Sequence, residues 1–204
     1  MCAPDTDESS QTGCRGLAIL SAIFVCLLVV CPPAPASATV MEYADLPDLV
    51  KISDVIVRAE VTDRRSFHDD DRQRILTHTT FEVKESYAEE VGDEVTVEQW
   101  GGTVDGETTV IPGDARFQLG EEVILFLRHG RTDRDVLFLS ALAQSKYTIY
   151  RDGDATLVAR DLSNLEIVRE DDHRQQLRIS GQASSLEAFV TELRSLLGSR
   201  KGAE

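Results

Sequence analysis

The chain has 204 residues with 36 acidic and 21 basic side chains, which gives a formal net charge of −15 at pH 7. A field of this sign repels nucleic-acid phosphates and anionic lipids, so the composition argues against both as partners. All four cysteines lie at or before Cys31, so disulfides, thiolate metal sites and cysteine nucleophiles are not expected in the rest of the chain.

The first 38 residues have the layout of a secretory signal. Arg15 precedes an uncharged apolar run, residues 16–31, and two prolines end that run before it reaches the usual length of a membrane-spanning helix. Small residues at positions 36 and 38 then match a signal-peptidase site. We therefore predict cleavage after Ala38 and export of residues 39–204 to the periplasm or beyond, free of the membrane. The alternative is that the apolar run is retained as a membrane anchor.

Cleavage after residue 38 would also remove four charged side chains. Without Asp5, Asp7, Glu8 and Arg15, 33 acids remain against 20 bases, a net charge of −13. A chain without disulfides depends on its hydrophobic core, and residues 39–204 are enough to build one domain around a single core.

The predicted domain begins with a short helix at residues 45–53. Asp45 is placed to cap this helix, and Pro47 lies in its first turn. Its apolar face consists of Leu46, Leu49 and Val50. From residue 55 the apolar residues recur at every second position, which is the period of a half-buried strand.

A second alternating segment, residues 75–84, is separated from the first by the charged run FHDDDRQR. Two such strands joined by a polar loop predict an antiparallel hairpin with that run at its tip. Consecutive aspartates lack the alternate spacing of a calcium loop, so we expect a solvent-exposed turn and no metal there. The candidate partner-contact residues of this tip are His68, Asp69, Asp70, Asp71 and Arg72. A solubilising turn without a partner is the plainer alternative.

Shorter strands follow along the chain. They are predicted in GDEVTVEQW, ETTVIP, DVLFLS and KYTIY, and RDGDATLVA predicts a hairpin around residues 152–154. EEVILFLR is apolar on both faces, so we place it at the centre of the sheet.

A helix is predicted near the end of the chain. Its apolar residues at helical spacing are Leu186, Phe189, Val190, Leu193, Leu196 and Leu197. Ser184 and Glu187 fit a capping box at its start, and Gly198 fits a stop. We expect its apolar stripe to cap the barrel or sheet, with Phe189 and Leu193 buried.

Trp100 is the only tryptophan of the chain, and it ends a predicted strand on the face opposite Val95 and Val97. As an exposed aromatic it could stack a sugar or a base, but we expect it to pack under the C-terminal helix. Gly101 and Gly102 follow, and they predict a bulge or a sharp bend.

Three segments within residues 45–150 carry a family resemblance. They are Ser53-Asp54 followed by VIVRAEV, the charged hairpin leading into THTTFEVKESY, and GEEVILFLR. Together they resemble the N-terminal domain of the tissue inhibitors of metalloproteinases and the related netrin-like modules. In that family a Gly-Lys-x-Tyr-Leu-like strand occupies the position that GEEVILFLR has here. Those domains are five-stranded OB-fold barrels. The resemblance therefore implies a mainly β, OB-like antiparallel barrel, here with a short N-terminal helix and a C-terminal amphipathic helix.

The sequence departs from that family at its terminus. Those inhibitors begin with a cysteine whose α-amino group and carbonyl bind the protease zinc, whereas the terminus predicted here is Thr39. In the same family the hairpin that matches residues 67–74 reaches out beside the protease cleft. The resemblance thus implies the fold and a recognition hairpin, but not the inhibitory mechanism.

Familiar catalytic signatures are missing from the sequence. It contains no zinc-protease helix motif, phosphate-binding glycine loop or Gly-x-Ser-x-Gly elbow. The four histidines, His68, His78, His129 and His173, have no ligand spacing on one element, so we expect them at the surface.

We interpret the domain as a non-enzymatic binding module with no catalytic residue, metal or cofactor. Its partner would be an unidentified protein, for which the resemblance suggests an exported protease. Two alternatives stay open, an exported hydrolase with an unrecognised carboxylate pair and a structural envelope component.

Overall fold

The computed structural model describes residues 40–69, 73–130, 136–162, 166–168 and 183–202, which all belong to one compact unit. Within this part of the chain the fold is mainly β, and no helix there is both long and apolar enough to cross a membrane. The helices are α1 (Leu46–Ile52) and α2 (Leu186–Lys201), and a 3-10 turn spans Leu142–Ser145. The strands are β1 (Val40–Glu42), β2 (Val55–His68), β3 (Ile75–Ser86), β4 (Glu94–Trp100), β5 (Gly102–Val104), β6 (Glu107–Thr109), β7 (Glu122–His129), β8 (Leu137–Leu139), β9 (Lys146–Asp152), β10 (Ala155–Ala159), β11 (Glu166–Val168) and β12 (Ser184–Ser185).

Five strands close into a barrel in the ring order β7-β2-β3-β4-β8, with β8 returning to β7. Each neighbouring pair is antiparallel except β4 and β8, which are parallel and pair at one position, Val97 opposite Leu137. Counted in chain order, the barrel strands follow one another around the ring as 1-2-3-5-4. This is the arrangement of an OB barrel, so the fold expected from the sequence is confirmed.

Strand β2 is long enough to pair with two neighbouring strands, β7 and β3. Its first residues, Val55–Glu60, pair with β7, and most of its length pairs with β3. The pairing with β3 shifts register between Arg58 and Ala59 and again between Val61 and Asp63. Such bulges bend and twist a strand, which allows one long strand to wrap around a small barrel.

The central strand β7 separates two hydrophobic cores, as its two apolar faces predict. Leu125 and its alternate neighbours point into the barrel and share a core with Phe81. Ile124 and Phe126 point outward into a second core that includes residues of both helices. Burial on both faces explains why the segment is continuously apolar. Outside the barrel the sheet continues from β7 through β9 and β10 to β12, and β1 pairs separately with β11 in parallel.

Helix α1 begins as predicted. The Asp45 carboxylate accepts a hydrogen bond from the Asp48 amide at 3.0 Å, and the Asp48 carboxylate accepts one from the Asp45 amide at 3.3 Å. This reciprocal capping satisfies amides that the first turn leaves without helical partners. Leu49 and Val50 then bury against the second core.

Helix α2 packs on the outside of the barrel. Phe189 and Leu193 are 5% and 0% exposed, as expected, and the Phe189 ring centroid lies 4.6 Å from that of Tyr147 on β9. Of the two places expected for this helix, the barrel and the sheet, the structure shows the sheet, because the buried residues of α2 join the second core and not the barrel interior.

The ends of α2 also differ from the prediction. The N-cap is Ser185 and not Ser184: the Ser185 hydroxyl accepts a hydrogen bond from the Ala188 amide at 3.2 Å. Both serines also pair with β10 as the short strand β12. Gly198 does not stop the helix, which continues to Lys201.

Candidate functional site

The charged hairpin is more ordered at its base than the sequence suggests. His68 is the last residue of β2 and is half-buried, so its placement in an exposed tip is wrong. Its neighbour Phe67 packs edge-on against His78 of β3, with ring centroids 4.7 Å apart. Asp70, Asp71 and Arg72 lie outside the described residues.

Asp69 has a structural role in this hairpin. Its carboxylate accepts hydrogen bonds from the Gln73 amide at 2.8 Å, the Arg74 amide at 3.2 Å and the Arg74 Nε at 3.0 Å. Desolvation raises the pKa of Asp69, but these bonds together outweigh it and hold the pKa below its ordinary 3.8. The described residues contain no group of three side chains that could hold a metal ion.

Trp100 is 55% exposed, so the expectation that it packs under the C-terminal helix is wrong. It lies on the outer face of the barrel, where Phe67, Leu76 and Trp100 stand opposite one another on β2, β3 and β4. The Arg74 guanidinium lies 5.4 Å from the indole centroid, which is cation–π distance. Tryptophan and arginine are both among the residue types enriched at the energetic centres of protein interfaces.

The chain bends sharply after Trp100, as the two glycines predict. Gly101 and Gly102 have φ values of 91° and 134°, in the region that favours glycine. A side chain on Gly102 would collide with the hydroxyls of Ser66 and Thr77. The bend sends the β5–β6 hairpin away from β4 and leaves Trp100 at a strand end.

A cavity of about 390 Å³ opens beside Trp100, and we call it the wedge cavity. It lies where β4 and β8 separate after their single pairing at Val97 and Leu137. Two hydrogen bonds hold the neighbouring segments together, from the Gln99 Nε2 to the Ala115 carbonyl at 2.8 Å and from the Ala143 amide to the Gly113 carbonyl at 3.1 Å. The volume is in the range of sites that take a small molecule or one large side chain.

The walls of the wedge cavity are mainly apolar. They are formed by Trp100, Ile111, Phe138, Leu139 and Leu142. Leu142 has a φ of 50°, a left-handed conformation that costs a non-glycine residue about 1–3 kcal/mol.

The rest of the fold holds Leu142 in place. Gln144, two residues later, is buried, donates to the Glu42 carbonyl at 2.9 Å and accepts from the Ala44 amide at 2.9 Å. Residues held in such strained conformations cluster at ligand sites.

Two carboxylates lie among the polar residues of the cavity. Glu98 has a side chain 17% exposed, and its Oε2 lies 3.0 Å from the His78 Nε2. Burial raises the pKa of the Asp114 carboxyl above its ordinary 3.8, and hydrogen bonds from Gln99 and the Ala115 amide, together with the positive charge of Arg64, offset this only in part. Perturbed carboxyls in concave sites are a recognised feature of functional sites.

Of the other described histidines, His78 lies at the surface as expected, with a side chain 39% exposed, whereas His129 does not. The His129 ring is 14% exposed, and its Nε2 lies 3.0 Å from a Glu89 carboxylate oxygen. His78 and His129 each face a glutamate on a neighbouring segment. His173 lies outside the described residues.

Sequence reasoning named Trp100 but missed Asp114, Leu142 and the cavity itself. The strand predicted in ETTVIP ends at Pro112, and Asp114, two residues later, has no sequence signal that distinguishes it from a turn residue. The alternation of apolar and polar residues in DVLFLS predicts a strand, but not the point at which it leaves β4.

No protein-family model and no curated protein matches this chain.

Proposed function

We propose that this chain is an exported, non-enzymatic binding module that holds a protein partner at the wedge cavity and at Trp100 beside it. The observation that carries the proposal is a 55% exposed tryptophan next to an apolar cavity of about 390 Å³. Interfaces concentrate their binding energy where an aromatic anchor adjoins a pocket that excludes water. Export rests on the signal-like layout of residues 1–38.

An exported protease is the first partner to test. This choice rests on the resemblance of residues 45–150 to the protease-inhibitor domains, whose OB barrels present a hairpin equivalent to β2–β3. The predicted terminus carries no cysteine, so we propose recognition of the partner by the barrel surface and not chelation of a catalytic metal.

The test is capture of partners by the exported full chain, carrying a C-terminal tag, in its native host. We expect the unaltered protein to retain one exported protein in stoichiometric amount. Trp100→Ala should weaken the binding of that protein by about tenfold or more, because it removes a central aromatic anchor. Tyr150→Ala is the matched control, since Tyr150 is an aromatic residue 40% exposed on β9, away from the cavity.

Equal retention by Trp100→Ala and Tyr150→Ala would contradict the proposal. If the captured protein is a protease, its activity with and without the added domain shows whether the module inhibits it or only binds it.

The second candidate function is hydrolysis by a carboxylate pair. Glu98 and Asp114 line one cavity, and Asp114 has the raised pKa that a general acid requires. A screen of glycoside and ester substrates tests it. Turnover abolished by Asp114→Asn would favour the enzyme, and no turnover is expected if the module only binds.

A further inference from the structure

Strand β4 has an open edge at the wedge cavity. It pairs with β3 as far as Trp100, but with β8 only at Val97 opposite Leu137. In the part of the chain that the structure describes, no other strand pairs with β4 on that side. The cavity therefore lies between two strand edges, residues 98–100 of β4 and residues 138–139 of β8.

The register of the β3–β4 ladder shows which backbone groups of β4 face the cavity. In an antiparallel ladder every second residue exchanges hydrogen bonds with the residue opposite, and the residues between direct their amides and carbonyls to the other side. At one end of this ladder the Val83 amide donates to the Asp93 carbonyl at 2.8 Å. At the other end the Gly101 amide donates to the Ile75 carbonyl at 2.7 Å, with no register shift between. The odd-numbered residues of β4 are therefore bonded to β3, and Trp100 directs its amide toward the cavity.

The facing edge of β8 is oriented toward β4 in the same way. The Gly130 amide donates to the Val136 carbonyl at 2.8 Å. The Ser140 amide donates to the Phe126 carbonyl at 3.0 Å, so the even-numbered residues of β8 are the ones bonded to β7. Leu139 therefore directs its amide and carbonyl toward the cavity. Backbone donors and acceptors border the cavity on both sides, and such groups need hydrogen-bond partners when a ligand excludes water from them.

The carboxylates and the histidine of the lining are already engaged by neighbouring groups. Glu98 lies 3.0 Å from His78, and His129 lies 3.0 Å from Glu89. The Asp114 carboxylate accepts a hydrogen bond at 2.8 Å from the amide of the next residue. Side-chain charge therefore does not select the occupant of the cavity, whereas the strand edges and the apolar walls do.

We propose that the wedge cavity receives an extended segment of the protein partner, which adds to the edge of β4 as a short strand. The inference rests on the proposed function and specifies how the partner is recognised. Main-chain groups of the segment pair with the edge of β4, including the Trp100 amide, as in other cases of strand addition. An α-helix could not make these bonds, because its own backbone groups are bonded internally.

The apolar walls specify one side chain of the added segment. Phe138 lies on the outer face of the barrel with Trp100, because its neighbours Leu137 and Leu139 point into the barrel core. Every second side chain of a strand added beside β4 also lies on that face. We expect an apolar side chain there, between the rings of Trp100 and Phe138, since neighbouring side chains on one face of a sheet contact each other.

Hydrogen exchange of single amides in the full chain tests the open edge directly. Gln99 and Trp100 are adjacent on β4, and the ladder assigns a bond to β3 only to the Gln99 amide. We expect the Trp100 amide to exchange about tenfold faster or more, because an amide without a ladder partner needs no opening of the sheet.

The probe is the extended peptide acetyl-Thr-Val-Leu-Val-Thr-amide, and its control is the same peptide with the three central amides N-methylated. The two peptides share their side chains, but the control has lost its central main-chain donors. We expect the probe to bind with a Kd on the order of millimolar and to slow exchange at Trp100 while leaving Gln99 unchanged. The control should bind about tenfold more weakly or less, since each lost hydrogen bond weakens binding several-fold.

One variant and its control locate the side-chain contact. Phe138→Ala removes one of the two rings and is expected to weaken the probe about tenfold. Tyr150→Ala removes a ring on β9, away from the cavity, and is expected to change nothing. If Phe138→Ala does not fold, as judged by its unfolding transition, the two peptides on the unaltered protein still test the inference.

Three results would overturn the inference: a Trp100 amide as protected as that of Gln99 in the free protein, no saturable binding of the probe, or equal binding of the two peptides. The two proposals fail separately. Partner capture that needs Trp100, together with equal binding of the two peptides, overturns the inference and supports the proposed function. A probe that protects the Trp100 amide when no protein is captured supports strand addition and overturns the proposed function.

Discussion

Thr77 and Thr79 lie two residues apart on the inner face of β3, yet their hydroxyls are in opposite situations. The Thr77 Oγ1 donates to the Gly101 carbonyl at 2.6 Å and lies 2.8 Å from the Ser66 Oγ. Thr79 is 0% exposed, and its Oγ1 has no hydrogen-bond partner among the described residues. A buried hydroxyl stabilises a fold only when its hydrogen bonds are satisfied.

We therefore predict that the same substitution has opposite effects at the two positions. Thr79→Val keeps the shape and removes an unsatisfied group, so the free energy of unfolding should rise by about 1 kcal/mol. Thr77→Val leaves the Gly101 carbonyl unpaired and should lower it by about 1–2 kcal/mol. Urea denaturation measures both, and a loss of stability in Thr79→Val would show that its hydroxyl has a partner.

Asp69 provides a second test at a single residue. Its folded-state pKa lies below the ordinary 3.8, so its contribution to stability is present above that value and is lost as the pH falls through the folded pKa. Asp69→Asn should therefore lower the unfolding midpoint at pH 7, and the difference from the unaltered protein should shrink in acid. Asp154→Asn serves as the control from another exposed turn.

The same experiment tests the expectation that this hairpin holds no metal. Added calcium should leave the unfolding midpoint of the unaltered protein unchanged. A rise caused by calcium in the unaltered protein, absent in Asp69→Asn, would establish a metal site at the aspartates.

Among the elements, α2 completes the second core and connects it to α1. Leu193 is 0% exposed, and Arg200 donates from its Nη1 to the carbonyls of Val50 and Ser53 at 2.9 and 2.8 Å. These bonds satisfy carbonyls at the end of α1 that have no helical partner. The two helices therefore stabilise each other while both cover the outward face of β7.

We predict that alanine substitutions at a buried and at an exposed position of α2 have different effects on the free energy of unfolding. Phe189→Ala removes a ring packed 4.6 Å from Tyr147 and should lower the free energy of unfolding by about 3–5 kcal/mol. Glu192→Ala, three residues later and exposed, should change it by less than about 0.5 kcal/mol. An unchanged midpoint in Phe189→Ala would mean that α2 detaches from the sheet in solution.

For the whole molecule, we propose that the exported form begins at Thr39. The proposal rests on the small residues at positions 36 and 38, which match a signal-peptidase site. N-terminal sequencing of the exported protein identifies its first residue. Ala38→Asp places a charge where the peptidase requires a small side chain, and should block the processing. A chain that keeps residue 1 or 2 and fractionates with the membrane would contradict the proposal and establish the leader as an anchor.

Local chemistry in the sequence determined most of the framework of this protein. The period-two segments predicted the barrel strands, the two-sided apolar pattern of EEVILFLR predicted a central β7, and Asp45 predicted the start of α1. Each of these features depends on neighbours a few residues away, which is why a linear pattern contains them. The predicted end of α2 at Gly198 was wrong, because a glycine is also tolerated inside a helix that is stabilised by tertiary packing.

Only the tertiary structure decided the candidate site. The wedge cavity exists because β4 and β8 pair at one position, Val97 with Leu137, and then separate. Asp114 and Trp100 meet there from segments whose spacing in the sequence carries no signal of contact. Trp100 is exposed because α2 packs elsewhere on the molecule. Helix α2 packs on the outward face of the sheet, where the apolar side chains of β7 would otherwise be exposed to solvent.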